Sequence, residues 1–271
     1  MSPRSNRFAS PCLLVLFPVE ILEQIYFNSE NLAFAVVNKQ ISQCLSTQPV
    51  RLRFCVRLFL HGCGPSRYED SERAEFLGYT QTLVFRQPWF SNNFARKVQR
   101  EVLRLQDVQE GTVDPLIYQD SRRVRAANLT EIPKELLLQR PWAPAKVKLI
   151  HRMLQWGAKI LTEREYILGR AMMNAIIEHS YLAVNLLSIY CRVPFHHKHF
   201  RAAILSGCDE RIVEMIVESN KRSPWPFIDP SDRRVYDRLM QMDRAGNPMG
   251  RQILEDISLR VDERGFTIAS R

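Results

Sequence analysis

The sequence predicts a mostly helical protein, with a helical hairpin near its start and stacked helical pairs in its second half. Three observations carry that expectation. Apolar residues recur at steps of three and four along much of the 271-residue chain, the spacing that gathers side chains on one face of an α-helix. An apolar helical motif in the second half recurs after 33 residues. Ten glycines, fifteen prolines and no long low-complexity stretch argue against extensive disorder, and 45% hydrophobic content suffices for one large core or two modest ones. The expected divisions are a flexible tail over 1–15, the hairpin over 16–46, and a helical middle region of open type over 47–140. Repeats with a cap follow over 141–242, and a C-terminal tail over 243–271.

The tail is polar and then apolar, with Pro3 and Pro11. The first defined structure starts at Phe17. Pro18 suits a first helical turn because its missing N–H would have no partner there, and Glu20 lies where the helix dipole favours an anion. Ile21, Leu22, Ile25 and Tyr26 then make one apolar stripe. The stretch from Asn28 through Ser29 and Glu30 to Asn31 stops this helix. Asn31 caps a second one, in which Leu32, Val36, Val37, Ile41 and Leu45 share a face.

Phe17, Pro18, Glu20, Ile21 and Leu22, then Ile25 and Leu32, then Val37, Lys39, Ile41 and Leu45 resemble the F-box, whose pattern runs L-P-x-E-I/L-L, I, L, V-S/C-K/R-x-W and L. The resemblance spans the hairpin alone. The gap from Pro18 to Leu32 is shorter than in the family, and Ile41 stands where an aromatic is usual. The segment is similar to the abbreviated F-box-like segments of fungal proteins. That resemblance implies docking on a Skp-family adaptor of a cullin-RING ubiquitin ligase through Phe17, Pro18, Ile21, Leu22, Ile25, Leu32, Val37, Ile41 and Leu45.

Residues 50–60 mix strand-like alternation at Val50, Leu52 and Phe54 with a helical continuation, so the pattern leaves their type open. Residues 62–65 read as a turn and 66–75 as an exposed loop. Helices are expected over 93–105 and 130–138, the second capped by Thr130. Its early Pro133 and following Glu135, Leu136 and Leu137 superficially repeat the hairpin's opening, as any capped helix with an early proline does.

After Trp142 the texture changes. Val147, Leu149, Ile150, Met153 and Leu154, closed by Gly157 and Ala158, resemble the second helix of an ankyrin repeat, with Gly157 where a left-handed cap needs glycine. Met153 and Leu154 are matched by Leu186 and Leu187 33 residues on, the ankyrin period, and these by Met215 and Ile216 after a further 29. First helices are expected over 169–178 and 200–206. The T-P-L-H opening of ordinary ankyrin repeats is absent, so stacked helical pairs are the better-supported description. A helix over 232–242, with Val235, Leu239 and Met242 on one face, caps the array, and a short helix is expected around Ile253, Ile257 and Val261.

The net charge of +9 favours acidic partners, but the basic groups are spread along the chain. Arg96, Lys97, Arg100 and Arg104, like Arg122, Arg123 and Arg125, are interleaved with apolar positions, as on the solvated face of an amphipathic helix, and that reading is preferred to a nucleic-acid site. The six cysteines lack a C-x-x-C pair and read as reduced, core-type thiols of a cytoplasmic or nuclear protein. No segment approaches a membrane span. Cys191 with His196, His197 and His199 lacks the second closely spaced pair that zinc sites use, so no metal and no cofactor is expected. Cys63 between Gly62 and Gly64 reads as a turn residue. Glycine-rich phosphate loops and nucleophile elbows are absent, and an enzyme is not expected. Core packing is the preferred reading of the tryptophans, with Trp156 expected to face outward.

These readings combine into a non-enzymatic adaptor: the hairpin docks on the Skp-family subunit and the repeats hold a protein target for ubiquitination. The alternative is a helical scaffold independent of ubiquitin, in which the hairpin packs as the first layer of a helical domain; a nucleic-acid-associated protein ranks third. First helices and inter-repeat loops line the concave face of such arrays, which places Tyr166, Arg170, Asn174, His196, His199 and Arg201 at the target surface. Their neutral-to-basic character selects an acidic or phosphorylated target.

Overall fold

A computed structural model describes residue 14 and residues 17–60, 71–110, 124–127, 129–160, 165–223 and 227–263, which form thirteen α-helices and no extended strand. Apart from residue 14, the tail expected over 1–15 lies outside the described residues. Helix α1 (Val19–Ser29) starts after Pro18, whose carbonyl accepts from the Ile21 and Leu22 N–H groups at 3.1 Å. It ends on Glu30 in the left-handed region (φ 48°). Asn31 caps the next element, accepting from the Ala33 N–H at 2.9 Å, but that element is a 3₁₀ turn (Leu32–Val36) rather than a long helix. Asn38 breaks the path. Its backbone is extended and its Oδ1 accepts from the N–H groups of Gln40 at 2.7 Å and Ile41 at 3.4 Å, so it caps a new helix, α2 (Lys39–Leu45). The single apolar face expected from Leu32 to Leu45 is therefore divided. Helix α3 (Gln48–Leu60) resolves the open segment, burying Val50, Phe54, Cys55, Val56, Leu58 and Phe59.

The chain folds as two units, residues 1–133 with 152–159 and residues 134–151 with 160–271. In the first, α1, α2 and α3 pack together. Tyr26 stacks on Phe54 with ring centroids 4.5 Å apart, and Arg53 pairs with Glu23 at 2.9 Å. The loop expected over 66–75 is helical from Ser71, where α4 (Ser71–Phe85) begins. Gln81 of α4 is a buried hub: its Nε2 donates to the Leu58 carbonyl at 3.3 Å, and its Oε1 accepts from Ala127 N–H at 2.8 Å and from the Thr130 hydroxyl. Thr130 is thus a tertiary anchor and not a helix cap. Helix α5 (Asn92–Glu110) packs on α3 and buries Phe94, Ala95, Val98 and Val102, leaving Arg96, Lys97, Arg100 and Arg104 exposed. Trp156 is buried, contrary to expectation, with its ring 5.1 Å from Phe59 and 6.4 Å from both Phe85 and Phe90. The rings of Phe59, Phe85 and Phe90 receive it, so its large apolar surface leaves water.

The second unit consists of helical pairs. Helices α6 (Lys134–Leu138) and α7 (Pro144–Gln155) come first, and the last turn of α7 passes into the first unit. Gly157 (φ 93°) ends α7 in a conformation that a side chain disfavours. Helix α8 (Glu165–Ile177) pairs with α9 (Tyr181–Asn185), which a π-helical stretch (Leu186–Tyr190) prolongs, and α10 (His197–Ser206) pairs with α11 (Glu210–Arg222). The first helices make one row, α8 touching both α6 and α10. The second helices make another. The His151 and Tyr190 rings meet at 4.6 Å, α9 touches α11, and Lys221 pairs with Asp256 at 2.9 Å. Helix α12 (Arg233–Arg244) lies where a helix is expected over 232–242; it packs on α10, and α13 (Pro248–Glu263) packs along it, so it is not the last helix. The expected tail over 243–271 is thus helical through Glu263, and its remainder lies outside the described residues.

Candidate interaction site

The residues that the F-box resemblance assigns to adaptor docking fall into three groups. Leu22, Ile41 and Leu45 are buried, and they form the interior of the N-terminal helices together with Tyr26. Ile25 and Leu32 are half-buried. Phe17, Pro18, Ile21 and Val37 are exposed. The buried line of α1 runs through Leu22 and Tyr26, four residues apart, so Ile21, about 100° around the helix from Leu22, turns outward. Two further apolar residues join the exposed group without having been singled out for docking, Val19 and Val36, the latter 72% exposed; Val37 is 58% exposed. Val36 is the last residue of the 3₁₀ turn and Val37 links it to the extended Asn38 cap, so neither continues onto the buried face of α2. A capping asparagine directly after two valines is the sequence signal for it.

Two titratable groups lie buried beneath these exposed residues, Tyr26 and Cys55. Burial pushes the Tyr26 phenol up and the neighbouring Cys55 adds to the effect; burial likewise pushes the Cys55 thiol up, so both stay protonated at neutral pH. What the arrangement offers is apolar surface around a folded core.

The six residues expected to face a target differ in exposure. Tyr166, 78% exposed, lies with Arg170 and Asn174 at four-residue steps on α8, where Arg170 is exposed and Asn174 half-buried; His196 is exposed at the start of α10. His199 does not belong to this surface. It is fully buried, and its Nδ1 accepts from the His196 backbone N–H at 3.1 Å, closing a capping box. Burial lowers its pKa to about 4, helped by the charges of Lys198 and His196 and only partly offset by the Gly169 backbone. Arg201 is half-buried and committed, with Nη1 3.2 Å from Asp232 Oδ2, so it too is withdrawn from the target surface.

Asp232 also caps α12 and accepts from His197 Nε2 at 3.0 Å, while His197 Nδ1 accepts from the Asp229 N–H at 3.1 Å. Both ring nitrogens are occupied, so this histidine–carboxylate pair has no free base for catalysis. Burial likewise pushes the Cys191 thiol up to about 12 and the Cys208 thiol up to about 11. No group of three or more metal-ligating side chains occurs among the described residues, and none of their helices is long and apolar enough to cross a membrane. Cys63 and Trp225 lie outside the described residues. No protein-family model, curated protein or solved structure matches the chain.

Proposed function

We propose that the chain is a non-enzymatic interaction adaptor whose F-box-like N-terminal helices dock a Skp-family subunit of a cullin-RING ubiquitin ligase while its ankyrin-like helical pairs present a target. The observation that supports this reading is the exposure of Phe17, Pro18, Ile21 and Val37, with Val19 and Val36, on helices whose interior is already filled by Leu22, Ile41 and Leu45. Large apolar side chains left in water around a complete core are characteristic of surfaces that a partner covers. On this reading Tyr166, Arg170, Asn174 and His196 face the target, which is acidic or phosphorylated.

A pull-down with a purified Skp-family adaptor tests the reading through the contrast between Val37→Asp and Leu22→Asp. Val37→Asp removes docking and leaves the fold intact, whereas Leu22→Asp places a charge in the interior and unfolds the N-terminal helices. Absence of adaptor binding by the wild-type chain at micromolar concentration rejects it. The second reading, a scaffold independent of ubiquitin, draws support from the burial of Leu22 and Ile41, since residues covered by their own chain behave as one layer of a helical domain.

A further inference from the structure

The basic face of α5 is locally more organised than a solvated stripe. Asn92, Arg96 and Gln99 fall at steps of four and three, so they share one side of the helix. Arg152, in the last turn of α7, lies across that side: its Nε donates to Asn92 Oδ1 at 3.4 Å and its Nη1 to Gln99 Oε1. Both acceptors are neutral amides. Among the described residues no carboxylate pairs with Arg152 or Arg96, Arg152 Nη2 has no acceptor, and the amide N–H groups of Asn92 and Gln99 donate to nothing. Partial burial holds the Arg152 guanidinium below its ordinary pKa, and the nearby Arg96 charge adds to the effect. Two guanidiniums thus interact with no counter-charge among the described residues, and neutral hydrogen bonds replace the lost hydration of Arg152 only in part.

We infer that Arg96 and Arg152, oriented by Asn92 and Gln99, form a binding site for a phosphate monoester carried on a phosphorylated protein segment. A phosphate monoester brings close to two negative charges and three acceptor oxygens, enough for the free Nη2 of Arg152, the Arg96 fork and a side-chain amide together. A carboxylate brings one charge and leaves one guanidinium uncompensated. A nucleic-acid strand fits less well. The basic stripe does not continue as a track, because Arg104 is paired with Glu101 at 2.9 Å, and the half-buried Trp89 already has the Arg51 guanidinium over its ring. The site is independent of adaptor docking and of the α8 face.

Fluorescence anisotropy with the full chain and a labelled Gly/Ser peptide holding one phosphoserine tests it, with the unphosphorylated peptide, inorganic phosphate as competitor and a single-stranded oligonucleotide as further arms. The phosphorylated peptide is expected to bind saturably and the plain peptide not, with inorganic phosphate competing. Arg96→Gln should weaken binding by roughly tenfold, the loss of one charge-assisted contact, without lowering the melting temperature, while Arg104→Gln leaves affinity unchanged. Equal binding of the two peptides, failure of phosphate to compete, or unchanged affinity in Arg96→Gln overturns the site. So does an Arg104→Gln loss as large as that of Arg96→Gln, which would reduce it to diffuse charge. Tighter, Arg96-dependent binding of the oligonucleotide than of the phosphopeptide overturns the phosphoprotein assignment in favour of nucleic acid.

Discussion

Two histidines two residues apart at the start of α10 have opposite environments. His197 lies between Asp232 and the Asp229 backbone, half-buried, whereas His199 is sealed inside with a pKa lowered to about 4. Between about pH 4 and the ordinary histidine value of about 6.5 the unfolded chain takes up a proton at His199 that the folded chain refuses, so stability falls as pH falls through that window. His199→Asn retains an acceptor near the Nδ1 position. It should flatten the pH dependence of the melting temperature across that window, and an unchanged slope would show that another group controls it. Asp232 acts at lower pH. Burial alone pushes its carboxyl up, but hydrogen bonds from His197 and Val235 and the Arg201 charge hold it below its ordinary value. Its stabilisation is therefore complete above the usual carboxylate range and lost as pH drops beneath it. Asp232→Ala removes a helix cap and a charge partner together and should cost about 2 kcal/mol at neutral pH by chemical denaturation; a loss below about 0.5 kcal/mol would mean that the cap and the ion pairs contribute little.

At the scale of elements, α13 offers the sharpest check, because its docking on α12 depends on a missing side chain. A Cβ at Gly250 would come within 2.8 Å of Met242 Cβ and 2.9 Å of the Asp243 nitrogen. Alanine gains about 1 kcal/mol of helix propensity over glycine, but overpacking against backbone costs about 1–3 kcal/mol. Gly250→Ala should therefore lower the melting temperature, and a rise would show that α13 is not seated there. The sequence makes some of these elements legible and hides others for physical reasons. The limits of α1 follow from Pro18 and Asn28 through Asn31, and α5 and α12 from amphipathic spacing. Helix α4 is hidden because its buried side includes Gly78, Thr80, Gln81 and Thr82, polar or small residues whose inward position depends on Leu58, Ala127 and Thr130 far away in the chain. The division of the second hairpin helix at Asn38 is a local competition that periodicity alone decides wrongly, because continuing the helix and capping a new one use the same residues.

Across the whole chain, the second unit is the more legible because each helical pair repeats a local pattern and meets mainly its neighbours. Of the residues that mark the repeat, Met153, Leu186, Leu187 and Ile216 are buried, and Leu154 and Met215 are half-buried. The candidate site is legible only in part: burial separates the interior Leu22, Ile41 and Leu45 from the exposed Phe17, Pro18, Ile21 and Val37, a division that apolar spacing could not make. That separation makes adaptor docking testable without unfolding the protein. Isothermal titration of a purified Skp-family adaptor into the full chain, wild type and the Ile21→Asp/Val37→Asp double variant, is the deciding measurement. Covering two such side chains contributes about 1.5–3 kcal/mol each, so the wild type should bind at micromolar concentration or tighter and the variant roughly a hundredfold more weakly, at an unchanged melting temperature. No heat from the wild type, or equal affinity in the variant, would contradict adaptor docking through this surface.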